Sequence, residues 1–398
     1  MPDTSEIRIC MDIGNRKHHV AIGLSTGEVL ENFDLCHKPT DIQAFFHKIH
    51  QYQKQYNLSV AVAMEGYNGY ARPIDRIVLE KGYRLLNVNN NKLAQFKKIF
   101  AGPAKTDKID ALKMFELFSL SDHLSVAKGV LQEITKKPEI NEKLKCLSRR
   151  RRVLVDEKTR TVNRLQGDLQ AISPDLLSIT GSVDNVWFLN FITSKEDIRK
   201  IVGLRRSSLL KIKGVGRQYA KKIISWQKTA LFSTDAEWIG PMVLSDAKRI
   251  IALQNEIAEL EETMKTLSEG SEIARRLKTI PGFGLVCSAE LAGEIGVLER
   301  FSSEASLALY LGVAVLDNKS GNYSGTKRAK HVNHQGRMAM MTAIARHINH
   351  VAEAKSYYEK KRKEGKKHNQ AVRSLARHMI KVIWSMIKNG RDYRIKIT

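Results

Sequence analysis

Apolar positions in the first hundred residues come in short runs separated by polar turns. Ile7–Ile13 and Val20–Leu24 are two such runs, and Gly27 in Ser-Thr-Gly-Glu sets a turn before a third, Val29–Phe33. Closely spaced runs of this kind predict strands in an antiparallel meander. From Asp41 to Tyr56 the apolar positions become Ile42, Phe45, Phe46 and Ile49, a helical spacing with Thr40 or Asp41 as the cap. Leu58–Met64 is almost continuously apolar, as a strand buried on both faces would be. A helix over Tyr70–Lys81, closed by Gly82, and a strand over Leu85–Val88 complete the order β-β-β-α-β-α-β.

That order is shared by ribonuclease H-like folds and by several nucleotide-binding α/β layouts, so topology alone does not choose a function. After Gly102-Pro103 the pattern is almost wholly helical. Asp107–Phe118 predicts one helix, and a long amphipathic stretch from Ile140 to Ile172 lies between Pro138 and Pro174. Farther on, Ile250, Leu253, Ile257, Leu260, Met264 and Leu267 form the apolar seam of a coiled coil. Such a seam fits either a helical hairpin inside the chain or pairing between chains. Residues 175–245 are mixed, with no secure boundary. Beyond Ser271 a compact segment starts with Leu-Lys-Thr-Ile-Pro-Gly-Phe-Gly and ends in a long basic helix, Asn369–Lys388. The expected fold class is α/β plus α, with domains over residues 1–125, 126–270 and 271–398.

Composition narrows the partners. Of 398 residues, 42% are hydrophobic and 27% charged, which excludes general disorder. Lys and Arg number 66 against 42 Asp and Glu, and the net charge of +24 draws polyanions, nucleic acid before a membrane surface. The longest apolar run, Leu307–Leu316, falls well short of the about 20 residues a spanning helix needs. The N-terminus lacks the basic-then-apolar layout of a signal peptide. Cys10, Cys36, Cys146 and Cys287 show no paired spacing, against both a disulfide framework and a zinc ribbon. A cytoplasmic protein with no membrane contact is expected. The basic surplus is concentrated: the last 44 residues hold 14 basic and 3 acidic side chains, and Arg149, Arg150, Arg151 and Arg152 form a second cluster. One such run is ordinarily a solvated helix face, but two on a chain this basic point to a nucleic-acid surface.

Four acids stand out. Asp12 ends the first strand, Glu65 ends a buried strand expected beside it, and Asp107 and Asp110 share a helix face in Lys-Thr-Asp-Lys-Ile-Asp-Ala. Converging carboxylates could hold two divalent cations about 4 Å apart, as in phosphoryl transfer. Oxygen-only ligands favour Mg²⁺ or Mn²⁺. Taken singly, a strand-end Asp often caps a turn, and Asp107 and Asp110 beside Lys105 and Lys108 could form a salt-bridged surface. Two glycine hairpins, Lys213-Gly-Val-Gly216 and Pro281-Gly-Phe-Gly284, lie between helical patterns. Gly282 and Gly284 could let backbone N–H groups approach a phosphate, or could form a plain interhelical turn. The polar loop Leu316–Lys330 places Ser320 and Ser324 each before a glycine and ahead of Lys327, Arg328 and Lys330. A serine there could attack a phosphodiester, although Ser-Gly pairs are mostly turn chemistry.

Together, Met-Asp-Ile-Gly-Asn-Arg-Lys at the first strand, Ala-Met-Glu-Gly-Tyr at the later one, Lys-Thr-Asp-Lys-Ile-Asp-Ala-Leu, the Ile-Pro-Gly-Phe-Gly block through Tyr-Leu-Gly312, and Val-Asn-His-Gln-Gly336 occur in sequence. Over nearly the whole chain this resembles the DEDD-type insertion-sequence transposases, the bridge-RNA-guided recombinases. The resemblance implies an N-terminal ribonuclease H-like domain of the Holliday-junction resolvase type, a helical coiled-coil insertion and a mainly helical C-terminal transposase domain. It implies Asp12, Glu65, Asp107 and Asp110 as metal-binding acids with Mg²⁺ or Mn²⁺, completed by the transposase domain of another subunit. It further implies a serine forming a covalent link to DNA, which the spacing from Gly312 assigns to Ser320, with Ser324 as the alternative. The sequence departs from the family pattern at Gly14, at Gly66-Tyr67 and at Val315.

The expected function is a bacterial or archaeal transposase that cuts and rejoins DNA with a guide RNA, acting as a homo-oligomer, dimer or tetramer. A junction-resolving nuclease using water would share the four acids but need neither serine. A non-catalytic nucleic-acid-binding protein would need none of them.

Overall fold

The computed structural model describes residues 5–66, 71–99, 107–121, 123, 129–321 and 323–394. They fold as two compact units, Met1–Lys136 and Lys137–Thr398.

The first unit is built on a six-stranded sheet. Its elements are β1 (Glu6–Asp12), β2 (Lys17–Leu24), β3 (Val29–Cys36), α1 (Pro39–Tyr56), β4 (Ser59–Glu65), α2 (Arg72–Glu80), β5 (Arg84–Val88), α3 (Asn90–Ile99), α4 (Asp107–Ser121) and β6 (Leu131–Glu133). The spatial order is β3-β2-β1-β4-β5-β6. The opening meander is antiparallel, β1, β4 and β5 run parallel, and β6 returns antiparallel. Helix α3 and strand β6 add to the elements read from the sequence. Asn89 starts α3, its side-chain oxygen accepting from the backbone N–H groups of Asn91 and Lys92 at 3.1 and 3.2 Å.

The two sheet faces carry different side chains, because neighbours on a strand point to opposite faces. Ile7, Ile9, Met11, Val60, Val62 and Met64 pack with Phe45, Phe46 and Ile49 of α1 and with Ile74 and Val78 of α2. The other face is lined by Cys10, Ala21, Ala61 and Ala63, and these small residues leave room for Ala111, Met114, Phe115 and Phe118 of α4. Asp12 and Glu65 stand two positions beyond Cys10 and Ala63, so they continue the face that α4 covers.

The second unit is helical apart from one ribbon. A 34-residue helix, α5 (Glu139–Ile172), is followed by short helices α6 (Pro174–Leu177), α7 (Val186–Ile192), α8 (Arg206–Leu209) and α9 (Arg217–Gln227), then by a 35-residue helix, α10 (Ala236–Gly270). Ion pairs Arg151–Glu261, Glu157–Arg249 and Arg164–Asp246 fix α5 and α10 antiparallel. The Ile250–Leu267 seam therefore lies in a hairpin within the chain, with Ile250, Leu253 and Met264 buried. So placed, it carries no argument for a second chain. The mixed region 175–245 folds over one end of this pair, where Trp187, Phe188, Phe191 and Trp226 form a core with Leu165, Leu169 and Ile250.

At the other end a larger core joins α11 (Glu272–Lys278), α12 (Leu285–Ile295), α13 (Glu304–Tyr310), α14 (His334–His347), α15 (Ala352–Lys363) and α16 (His368–Lys388). The segment expected to be a polar loop is instead an antiparallel ribbon, β7 (Val315–Ser320) with β8 (Tyr323–Arg328). Most of its side chains stand in solvent, so no alternation of buried and exposed positions marks these strands in the sequence. Among the described residues no helix is long and apolar enough to cross a membrane.

Candidate active site and nucleic-acid surfaces

In the first unit the site is set by strand register. Asp12 pairs with Glu65 across adjacent parallel strands, at their carboxyl ends. This is the edge at which open α/β sheets collect their ligand groups. Asp110 is placed by α4 one residue before buried Ala111, and Asp107 is the first residue of that helix.

Lys97 of α3 joins these acids, a residue the sequence motifs do not single out. Its Nζ donates to Glu65 Oε2 at 3.0 Å and lies 3.1 Å from Asp110 Oδ2, with the Lys97 side chain 19% exposed. Burial opposes the charged ammonium, but the hydrogen bonds from Lys97 to Glu65 and Asp110 outweigh it and hold the pKa above that of a free lysine. One half-buried cation thus links a strand-end acid to a helix acid. Among the described residues, no three His, Cys, Asp or Glu side chains stand as a ready metal cluster. The sequence signal for Lys97 was the cap at Asn89 followed by Leu93 and Phe96.

In the second unit the four consecutive arginines have divided roles. Arg149 forms a two-pronged hydrogen bond to Glu294 at 2.6 and 3.0 Å, and Arg152 forms one to Glu290 at 2.7 Å. Arg151 pairs with Glu261 at 2.6 Å, and Arg150 is exposed. Glu290 and Glu294 are both buried on α12. Burial drives both carboxyl pKa values up. At Glu294 the hydrogen bonds from Arg149 and Asn333 reverse this and leave it below the usual range, whereas Glu290 stays above it despite Arg152. Three of the four guanidinium charges are therefore largely spent on tying α5 to its neighbours.

The two glycine hairpins have the same backbone. Val215 N–H donates to Ile212 O at 3.0 Å and Phe283 N–H to Ile280 O at 2.9 Å, closing turns with Gly214 at φ +88° and Gly282 at φ +90°. At Gly282 a Cβ would stand 2.4 Å from the backbone nitrogen of His347, so this glycine is required by helix packing. Gly216 and Gly284 each cap the following helix with open space around the Cβ position. His347 is buried and its Nδ1 lies 2.6 Å from Pro281 O.

On the ribbon, Ser320 and Ser324 are both exposed. Lys319 pairs with Ser324 and Ser320 with Tyr323, so the two serines lie on opposite faces. Lys327 and Arg328 end the second strand, exposed, and Lys330 follows, also exposed.

Comparison with known proteins decides what this arrangement belongs to. Residues 9–174 match a family described as "Transposase", of the DEDD type represented by IS110, and residues 274–359 match the "Transposase IS116/IS110/IS902 family". The chain belongs to the IS110 family of DEDD transposases. The transposase is similar to an insertion element IS110 uncharacterized 43.6 kDa protein of Streptomyces coelicolor, 24% identical over 409 residues that cover 100% of this chain and 98% of that protein. It is also similar to an insertion element IS900 uncharacterized 42 kDa protein of Mycobacterium paratuberculosis, at 25% identity with 82% of each chain covered. Similarity to the transposase for insertion sequence element IS1111A of Coxiella burnetii is shorter, 23% over 35% of this chain and 39% of that one. The first match takes in Asp12, Glu65, Asp107 and Asp110 of the transposase, and the second takes in Gly282, Gly284 and both candidate serines.

Proposed function

We propose that this transposase moves its element by metal-dependent DNA strand cleavage and exchange, with a serine as nucleophile and an element-encoded RNA choosing the target. The observation that carries this is the register of Asp12 beside Glu65, with Asp110 joined to Glu65 through Lys97. The sheet order supports reading the first unit as ribonuclease H-like.

The donor chemistry fits Mg²⁺ or Mn²⁺: every donor is a carboxylate oxygen, and a cation, Lys97, stands between two of them. Asp12, Glu65, Asp107 and Asp110 would hold the metal, which would neutralise charge at the scissile phosphate. Ser320 Oγ, or Ser324 Oγ, attacks the phosphorus. The new Oγ–P bond replaces the phosphorus–sugar oxygen bond, and the serine proton ends on the departing sugar hydroxyl. Exposed Arg150, Lys327, Arg328 and Lys330, with the backbone N–H groups after Gly284, would hold phosphates without reading sequence.

A denaturing-gel assay tests this, with Mg²⁺, co-purified RNA and DNA spanning the element ends. A covalent protein–DNA adduct lost in only one of Ser320→Ala and Ser324→Ala supports the reading and names the nucleophile. Asp12→Asn should abolish cleavage while the protein remains folded. Cleaved ends without adduct, unchanged in both serine variants, would replace it with a water-using nuclease.

A further inference from the structure

The C-terminal core holds a cavity of about 510 Å³ between the ribbon, α14 and α16, and among the described residues its lining has no carboxylate. Arg373 and Arg377, one turn apart on α16, face it together with Arg337 of α14, Lys327 and Arg328 of β8, and Lys366. Among the described residues only Lys366 of these has an acidic neighbour, Glu364 at 2.9 Å. Arg373 Nε and Arg377 Nη1 are buried and, among the described residues, find no hydrogen-bond partner.

This is an expensive arrangement. A buried charged donor without an acceptor forfeits its hydration, and guanidinium groups gathered on one cavity repel each other. Burial, and then the charges of Arg328 and Arg337, push the Arg373 pKa below that of a free arginine. The backbone is shaped to permit the gathering. Gly312 has φ +63°, and a Cβ there would stand 3.0 Å from Arg337 Cδ and 2.8 Å from Val332 Cγ2. A side chain at Gly312 would force the Arg337 stem aside. Elsewhere in the same unit Arg149, Arg151, Arg152, Arg164 and Arg249 are each matched to a carboxylate. The lack of an acidic partner, among the described residues, for Arg337, Arg373 and Arg377 therefore sets this cavity apart.

Guanidinium N–H groups in a fixed fork are matched by the paired oxygens of a phosphate. We propose that this cavity is a binding site for backbone phosphates of a DNA strand. Its walls include Lys327 and Arg328, which lie on the same strand as Ser324, about 10 and about 14 Å along at an extended rise. The strand held in the cavity would thus pass along the ribbon face that Arg328 shares with Ser324, a clause that rests on the function proposed above. The phosphate site itself does not.

The test compares the full-length protein with Arg373→Gln/Arg377→Gln and with Lys228→Gln/Lys248→Gln, which removes equal charge from exposed positions elsewhere. Binding of a labelled DNA spanning an element end is measured against salt. The cavity variant should bind about tenfold more weakly at physiological salt, and its log–log salt dependence should be shallower by about two, one phosphate contact per arginine. Independently of any variant, inorganic pyrophosphate should raise the Tm of the wild type beyond sodium chloride of equal ionic strength. Equal losses in the two variants, an unchanged salt slope, or a Tm indifferent to pyrophosphate would overturn the proposal. So would a loss confined to RNA with DNA binding intact. If no serine adduct forms while the cavity variant still loses DNA, the cavity stands and the serine chemistry falls.

Discussion

Lys97 Nζ lies 3.0 Å from Glu65 Oε2, so the acid that ends β4 is already neutralised by a cation from α3. The same ammonium reaches Asp110 at 3.1 Å. A divalent metal at the proposed site would therefore compete with Lys97 for the same carboxylates. Lys97→Met should bind Mn²⁺ more tightly than wild type in a calorimetric titration. Without metal it should be less stable by about 1–3 kcal/mol, because two half-buried carboxylates lose their partner. Weaker Mn²⁺ binding in the variant would show that Lys97 supports the metal site.

The paired glycines of the second hairpin separate packing from binding. Gly282→Ala places a Cβ against the His347 backbone at φ +90°, and a loss of about 3–5 kcal/mol is expected in chemical denaturation. Gly284→Ala meets open space at an ordinary φ of −70° and should cost less than about 1 kcal/mol. Weaker DNA binding by folded Gly284→Ala would then report on access of phosphate to the helix end. Unchanged binding would remove Gly284 from the nucleic-acid surface.

The arginine run should show two behaviours. Glu294→Ala removes the carboxylate partner of half-exposed Arg149 and one of the two partners of the Asn333 amide, and about 1–3 kcal/mol of stability should be lost. Arg150→Ala should leave stability within about 0.5 kcal/mol. Its effect should appear as a shallower salt dependence of nucleic-acid binding. A destabilised Arg150→Ala, or a Glu294→Ala protein as stable as wild type, would contradict this division.

His347 makes the Pro281 turn sensitive to acid. Burial lowers its pKa below the usual 6.5, only partly offset by the hydrogen bond to Pro281 O. Because the unfolded chain takes up the proton more readily, stability is intact above about pH 6.5 and falls on acidification towards the lower folded value. Wild type should lose more stability between pH 7 and pH 5 than His347→Gln, measured by denaturant titration at each pH. Identical pH slopes would remove His347 as the cause.

Some of this protein was legible in the chain itself. The apolar runs ending in Asp12 and Glu65 identify two strands by composition, and strand periodicity alone puts each acid on the same face as Cys10 or Ala63. Asp107 and Asp110 share a helix face by spacing, and Gly282 follows a proline where a turn must form. These are local facts, and local sequence determines them. Which strand lies beside which is settled by the whole sheet, and so is the arrival of Lys97 between Glu65 and Asp110. A run of four arginines reads as one positive patch, yet Glu261, Glu290 and Glu294, more than a hundred residues away, neutralise three of them. Nor does the sequence reveal that Arg337, Arg373 and Arg377 have no such partners, among the described residues, around their cavity. Charge is fixed by composition, but how much of it remains available depends on distances that only tertiary packing sets.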